Sequence, residues 1–207
     1  MKNAIQAVIF ACFFLFATSV FADASFTGTN NYLTGKAGLY LPEIDFVDDG
    51  FNIEGAYGID LSSVIGIKNL VLELGLGYYK ASNEQTYSFG SGLSSSTTKE
   101  EVDISTIPMT VDGIYTFEFN GPFSLYAGAG LGLYYVMWEW ELETSSILLG
   151  STSSSYADDE LKFGFNLLGG GRYHLNNQMD LIAEVKYASV SDDVGGVFFN
   201  VGLKYNF

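Results

Sequence analysis

Cysteine and histidine are almost missing. The 207-residue chain has one of each, Cys12 and His174. A single Cys cannot close an intrachain disulfide, and one Cys plus one His is too few for a Cys/His zinc site. Basic residues are scarce too: nine Lys plus Arg stand against 24 Asp plus Glu, for a net charge of -15. With no basic patch to neutralise phosphates, nucleic acid is excluded as a partner. There is no G-x-S-x-G elbow and no phosphate-cradling loop. A lipid-modifying enzyme, the last-ranked reading, would want a His near the outer leaflet with Ser and an acid beside it. The lone His174 instead lies next to the short turn 176–179 and reads as a turn or interface residue, so the chain reads as non-enzymatic. After the first residues no apolar run approaches the ~18 residues of a spanning helix. What is plentiful is apolar and aromatic: 48% and 16% of residues, far more than a disordered acidic chain carries.

Residues 1–22 read as a secretory signal, and 23–207 as one domain. Lys2 supplies the positive start, residues 4–17 the apolar stretch, and Val20-Phe21-Ala22 the peptidase site. Cys12 lies inside this segment, with Phe10 before it and Phe13-Phe14-Leu15 after it. That context does not suit a lipidated cysteine.

The rest alternates with a period of two, the pattern of half-buried strands. Strands are expected at 32–41, 51–61, 70–81, 107–117, 123–135, 163–175, 180–187 and 198–207. Each is about as long as a tilted strand needs to cross a bilayer. Connections after strands 2, 4 and 6 are short, and those after 1, 3 and 5 are longer and polar. Phe117, Phe123, Tyr173, Tyr205 and Phe207 stand at strand ends on the apolar face, where an interfacial girdle lies. Trp138 and Trp140 read as further interface anchors. Hydrocarbon offers no hydrogen-bond partners, so such a sheet must close on itself. The fold class is therefore all-β, an eight-stranded antiparallel up-and-down transmembrane barrel with short periplasmic turns and longer extracellular loops. A soluble β-sandwich would alternate similarly but does not explain the two-sided loop lengths.

The opposite face carries Lys36, Glu54, Glu73, Asp112, Arg172, Glu184, Lys186 and Lys204. Buried charges must be paired or hydrated. A ladder of Arg172, Glu184 and Lys204 is expected, with Lys36 beyond it across the seam. Glu73 and Asp112 fall side by side and need a cation or a shared proton unless Arg172 or Lys36 reaches them. The set reads as a polar plug, with an ion gate as the sharper alternative. Inward glycines such as Gly75, Gly128, Gly130, Gly170 and Gly202 make room for Tyr40, Tyr79, Tyr126 and Tyr134. Ile114, Val136, Leu168 and Ile182 also point inward, which leaves a lumen for small apolar solutes open. Pro108 is expected to mark a bulge or irregular pairing.

The long connections are acidic. They carry Glu43, Asp45, Asp48 and Asp49; Glu84, Glu100 and Glu101; Glu139, Glu141, Glu143, Asp158, Asp159 and Glu160; and Asp192 and Asp193, opposed there only by Lys99. Such a rim attracts cations and basic surfaces. Asp48-Asp49 and Asp158-Asp159-Glu160 are candidate sites for loosely bound Ca²⁺, although neither has an EF-hand spacing. The serine-rich stretches 94–98 and 151–155 read as mobile.

Four stretches carry a resemblance: Ile107-Pro108, residues 125–132 (LYAGAGLG), residues 164–173 (GFNLLGGGRY) and the ending 201–207 (VGLKYNF). They resemble the small eight-stranded outer-membrane barrels that include opacity-type proteins, the OmpA barrel, OmpX and OmpW, over essentially all of 26–207. The resemblance implies a Gram-negative outer membrane with its lipid and lipopolysaccharide, a monomer, no cofactor and usually no enzyme activity. It implies roles in envelope integrity, adhesion to an unidentified extracellular partner, or limited porin-like permeation. It also implies that the ending, with Tyr205 and Phe207, is the signal read by the barrel-assembly machinery.

Overall fold

A computed structural model describes residues 31–44, 47–89, 96–146, 150–191 and 194–207. The signal expected at 1–22 lies outside the described residues, as do Asp45, Asp192, Asp193 and the first serines of the 94–98 stretch. The described residues form eight strands: β1 (Tyr32–Pro42), β2 (Gly50–Asp60), β3 (Leu70–Phe89), β4 (Ser96–Glu118), β5 (Phe123–Ser146), β6 (Gly150–His174), β7 (Met179–Val190) and β8 (Gly196–Asn206). Every neighbouring pair is antiparallel, and β1 closes on β8 from Tyr32↔Asn206 to Pro42↔Gly196. The ring therefore leaves no free edge along its closed part.

Alternation sorts the side chains as expected. Leu39, Ile53, Leu131, Phe165, Val185 and Val201 are exposed on the outside, whereas Tyr40, Tyr79, Ile114, Tyr126, Tyr134 and Leu168 are buried within. Phe117, Phe123, Tyr173, Tyr205 and Phe207 ring the outside at the short-turn end. There the β2–β3 connection is a helical turn, α1 (Ser62–Ile65), ended by Gly66 at φ 73, a left-handed conformation that glycine adopts without strain.

Four strands are much longer than the alternation of apolar residues suggested. β3, β4, β5 and β6 have 20, 23, 24 and 25 residues, against 11 or 12 for the other four. What read as long loops after strands 3 and 5 is largely two hairpins, paired out to Phe89↔Ser96 and Ser146↔Gly150. Serines 151–155 are accordingly strand, not a mobile tract. Beyond the barrel rim these hairpins join into one projecting four-stranded sheet: β2 leaves β3 at Lys80, and β7 leaves β6 at Gly164.

Pro108 makes no bulge. Leu76↔Met109 and Tyr79↔Thr106 keep one register, and only the two pairs between them drop out of the β3–β4 ladder. Toward β5 the pairing continues through Pro108↔Tyr134. The missing proline N–H interrupts the ladder without inserting a residue.

Candidate functional site

The lumen is filled in three layers. At the short-turn end the Arg172 guanidinium lies 4.5 Å from the Tyr126 ring centroid and 5.6 Å from that of Tyr32, and donates to Thr116 Oγ1 at 3.1 Å. Lys204 Nζ sits 4.1 Å from the Tyr32 centroid and 3.7 Å from Asp180 Oδ2.

The middle layer is centred on Lys36. Its ammonium lies 2.8 Å from Glu54, 3.1 Å from Glu184 and 3.4 Å from Glu73. Lys186 donates to the other oxygen of Glu54 at 2.8 Å and lies 3.8 Å from Asp112. Neutral donors complete the layer: Tyr32 OH to Glu73, Tyr126 OH and Asn200 to Glu184, and Thr110 and Asn166 to Asp112, at 2.9–3.3 Å. Tyr134 in turn donates to Asn166. Carboxylates this deeply buried are tolerable because each accepts at least one charged or neutral donor.

The third layer, toward the hairpins, is apolar and aromatic. Tyr40 stacks on Phe198 with centroids 4.8 Å apart and tilts against Tyr79 at 4.5 Å. Ile44, Val47, Ile104, Tyr134, Val136, Val190 and Val194 pack into the same cluster. A void of about 20 Å³, bordered by Glu54, Tyr79, Thr110 and Lys186, has room for a water but not for a solute.

Beyond the rim the projecting sheet has two unlike faces. Facing outward, Glu84, Glu101 and Glu141 stand in one cross-strand row, with Asp103↔Glu139 below and Lys99↔Glu143 above. Lys99 bridges to Glu84 at 3.1 Å and Glu101 at 3.3 Å, and these two carboxylates hold its ammonium above the usual lysine range. The other face carries Trp140 and Tyr156 as register partners.

A model of the outer membrane protein beta-barrel domain matches residues 8–207. The chain belongs to that family. No curated protein matches it by sequence. Among solved structures, Neisserial surface protein A is similar at 19% identity, covering 86% of this chain and 96% of its own, with a TM-score of 0.54. The N-terminal β-barrel domain of Pseudomonas aeruginosa OprF is 16% identical, over 87% of this chain and 100% of its own, with a TM-score of 0.52. A major outer membrane protein from Thermus thermophilus gives 13%, 87%, 100% and 0.52 in the same terms. At these identities the likeness is one of fold. The protein is a small outer-membrane β-barrel of the bacterial envelope, its outward apolar band in membrane lipid.

Within this barrel, all eight residues of the anticipated charge network meet in the lumen, but not as the expected ladder. Arg172 is in register with Ser124 and Ile182, and Glu184 with Gly170 and Asn200, so Arg172 and Glu184 are not rungs of one step. Glu184 instead reaches Lys36 across β8, where Gly202 leaves room for the Lys36 stem, while Tyr126 fills the space over Gly170. Glu73 and Asp112 are direct cross-strand partners, and Lys36 and Lys186 are the cations that reach them. Asp180, Asn166, Thr110 and Asn200 complete the network. Their inward parity was visible in the alternation; their partners were not.

Two further expectations are corrected. Trp138 is not a lipid-interface anchor but packs on the inner aromatic cluster, and Trp140 shares its inward face, because both have the parity of Tyr134 and Val136. Asp158, Asp159 and Glu160 are strand residues on alternating faces. Asp159 accepts from Tyr135 at 2.8 Å and Glu160 pairs with Lys162 at 3.1 Å. Among the described residues, no three His, Cys, Asp or Glu gather as a metal site, around Asp48 and Asp49 included. His174 lies at the short-turn end, half-exposed, with Nδ1 2.6 Å from Asp180.

Proposed function

We propose that the protein is a non-enzymatic surface barrel: a sealed membrane anchor that carries a contact element outside the cell. In this reading residues 1–22 direct secretion, and Tyr205 and Phe207 present an exposed aromatic ending to the assembly machinery. The hairpins β3–β4 and β5–β6 point outward, and their acidic face meets the partner.

One observation carries the reading. The lumen is closed by ion pairs and an aromatic layer, yet β5 continues from Trp138 to Ser146, about 30 Å of strand beyond the last outward apolar side chain. A channel has no need of such an extension, whereas a contact surface does. The family is generally non-enzymatic.

A narrow channel is the alternative, and planar-bilayer recording separates the two. The anchor reading expects silence from the purified protein. Reproducible single-channel steps that change in Arg172→Ala or Lys204→Ala would make it a channel instead.

A further inference from the structure

The outward-facing side chains change character at one level. Met137 gives way to Glu139 on β5, Leu161 to Asp159 on β6, and Ile107 to Ser105 and Asp103 on β4. That change marks the edge of the hydrocarbon. Past it, both faces of a sheet stand in water and polar side chains are the rule.

One face breaks the rule. Trp140, Leu142 and Tyr156 are 48%, 40% and 67% exposed. Trp140 and Tyr156 are register partners, and Leu142 follows Trp140 on the same face. They point away from the lipid-facing side and lie beyond Trp138, which packs on the luminal cluster. Neither lipid nor core accounts for them. Glu100 stands in register with Leu142, and Asp158 follows Tyr156 along the same face of β6. The reverse face of the sheet is the acidic one, and the whole chain carries -15.

We propose that the Trp140–Leu142–Tyr156 platform, flanked by Glu100 and Asp158, docks a cationic amphipathic peptide segment. The proposal rests on the surface-barrel reading and adds to its acidic outward face a second contact on the opposite face, with the chemistry of the segment that fits it. Leu-like side chains of such a segment cover the three apolar groups. Its Lys or Arg residues meet the two carboxylates and the ring faces. The acidic field of the sheet raises the encounter rate for a positive partner and repels a second copy of this chain.

The test uses the full barrel in phosphatidylcholine nanodiscs. The probe is a tryptophan-free amphipathic helix of about 18 residues with Leu on one face and Lys on the other. Of the protein's two tryptophans, Trp140 is part of the platform and Trp138 lies beside it toward the lumen, and they report binding by fluorescence. A saturable blue shift is expected, absent with empty discs and with a Leu/Glu helix of the same length. Tyr156→Ala with Leu142→Ala is expected to weaken binding about tenfold, as for apolar anchors of an interface. Glu100→Gln with Asp158→Asn, both in the projecting sheet beyond the closed ring and near-isosteric, is expected to weaken it and flatten its salt dependence. Equal binding of the Leu/Glu helix overturns the proposal. So does unaltered binding in both double variants, or sedimentation showing paired barrels whose contact the peptide cannot displace. A peptide that fails to bind, alongside silent bilayers, removes this inference and leaves the surface anchor standing. Channel steps remove the anchor reading whatever the peptide does.

Discussion

At the scale of single residues, the lumen is organised around one ammonium group. Lys36 faces Glu54, Glu73 and Glu184 at 3.4 Å or less. A methionine there leaves three carboxylates, of which Glu54 keeps the Lys186 bridge at 2.8 Å while Glu73 and Glu184 lose the ammonium that faced them. Lys36→Met should lower the unfolding free energy by roughly 3–5 kcal/mol, the usual loss when one partner of a buried pair is removed. Urea titration of the vesicle-embedded barrel, read by the shift between folded and unfolded gel bands, measures it. Adding Glu184→Gln should recover part of the loss, because it removes one stranded charge. Gly130 is the steric counterpart. A Cβ there would overlap Asp112 Oδ1 and the Val111 carbonyl. Gly130→Val should therefore leave little heat-modifiable protein on an unboiled gel, whereas valine at Gly35, where a Cβ meets nothing within 4 Å, should not. How much of this the sequence revealed follows from the chemistry. Period-two alternation places Lys36, Glu73 and Arg172 inside, since facing is local. It does not say that Lys36 meets Glu184, because that depends on register across two seams and on the room that Gly202 leaves between them.

Elements tell a similar story at larger size. The short strands β1, β2 and β8 fall within a few residues of their expected ends, because apolar alternation stops where lipid stops and so do they. For β3 through β6 the same signal stops at the same level while the backbone continues. Segments such as Ser151–Ser155 have no apolar side to betray a strand; cross-strand pairing alone holds them, from Trp140↔Tyr156 out to Ser146↔Gly150. The two parts should therefore separate energetically. Replacing Glu84–Glu101 and Glu141–Ser155 by tight Asn-Gly turns keeps every pair that closes the ring. The trimmed protein should still run as a compact, heat-modifiable band with its thermal midpoint nearly unchanged, and far-UV circular dichroism should show less strand. A trimmed protein that no longer assembles would mean that the projecting sheet nucleates the barrel.

For the whole molecule, the decisive arrangement is an inverted one: charge inside, hydrocarbon outside. Leu131 is 59% and Val201 64% exposed, amid a band of Leu, Ile, Val and Phe that circles the barrel. In water that band is a liability far larger than soluble monomers display; in lipid it is the solvent contact. The cost of a charge on the outside should then depend on height, not on local packing. Leu131 lies midway between Leu125 and Met137 on the outward face of β5, and Glu141 lies past the band on the same face. Leu131→Arg should cost roughly 2–4 kcal/mol, the penalty of arginine at the bilayer midplane. Glu141→Arg, in water and beside Glu101, should be near neutral and should ease the like-charge row. Paired urea titrations in the same vesicles compare the two. Equal costs at both heights would mean that the membrane does not surround this band, and the division into anchor and projecting sheet would lose its physical basis.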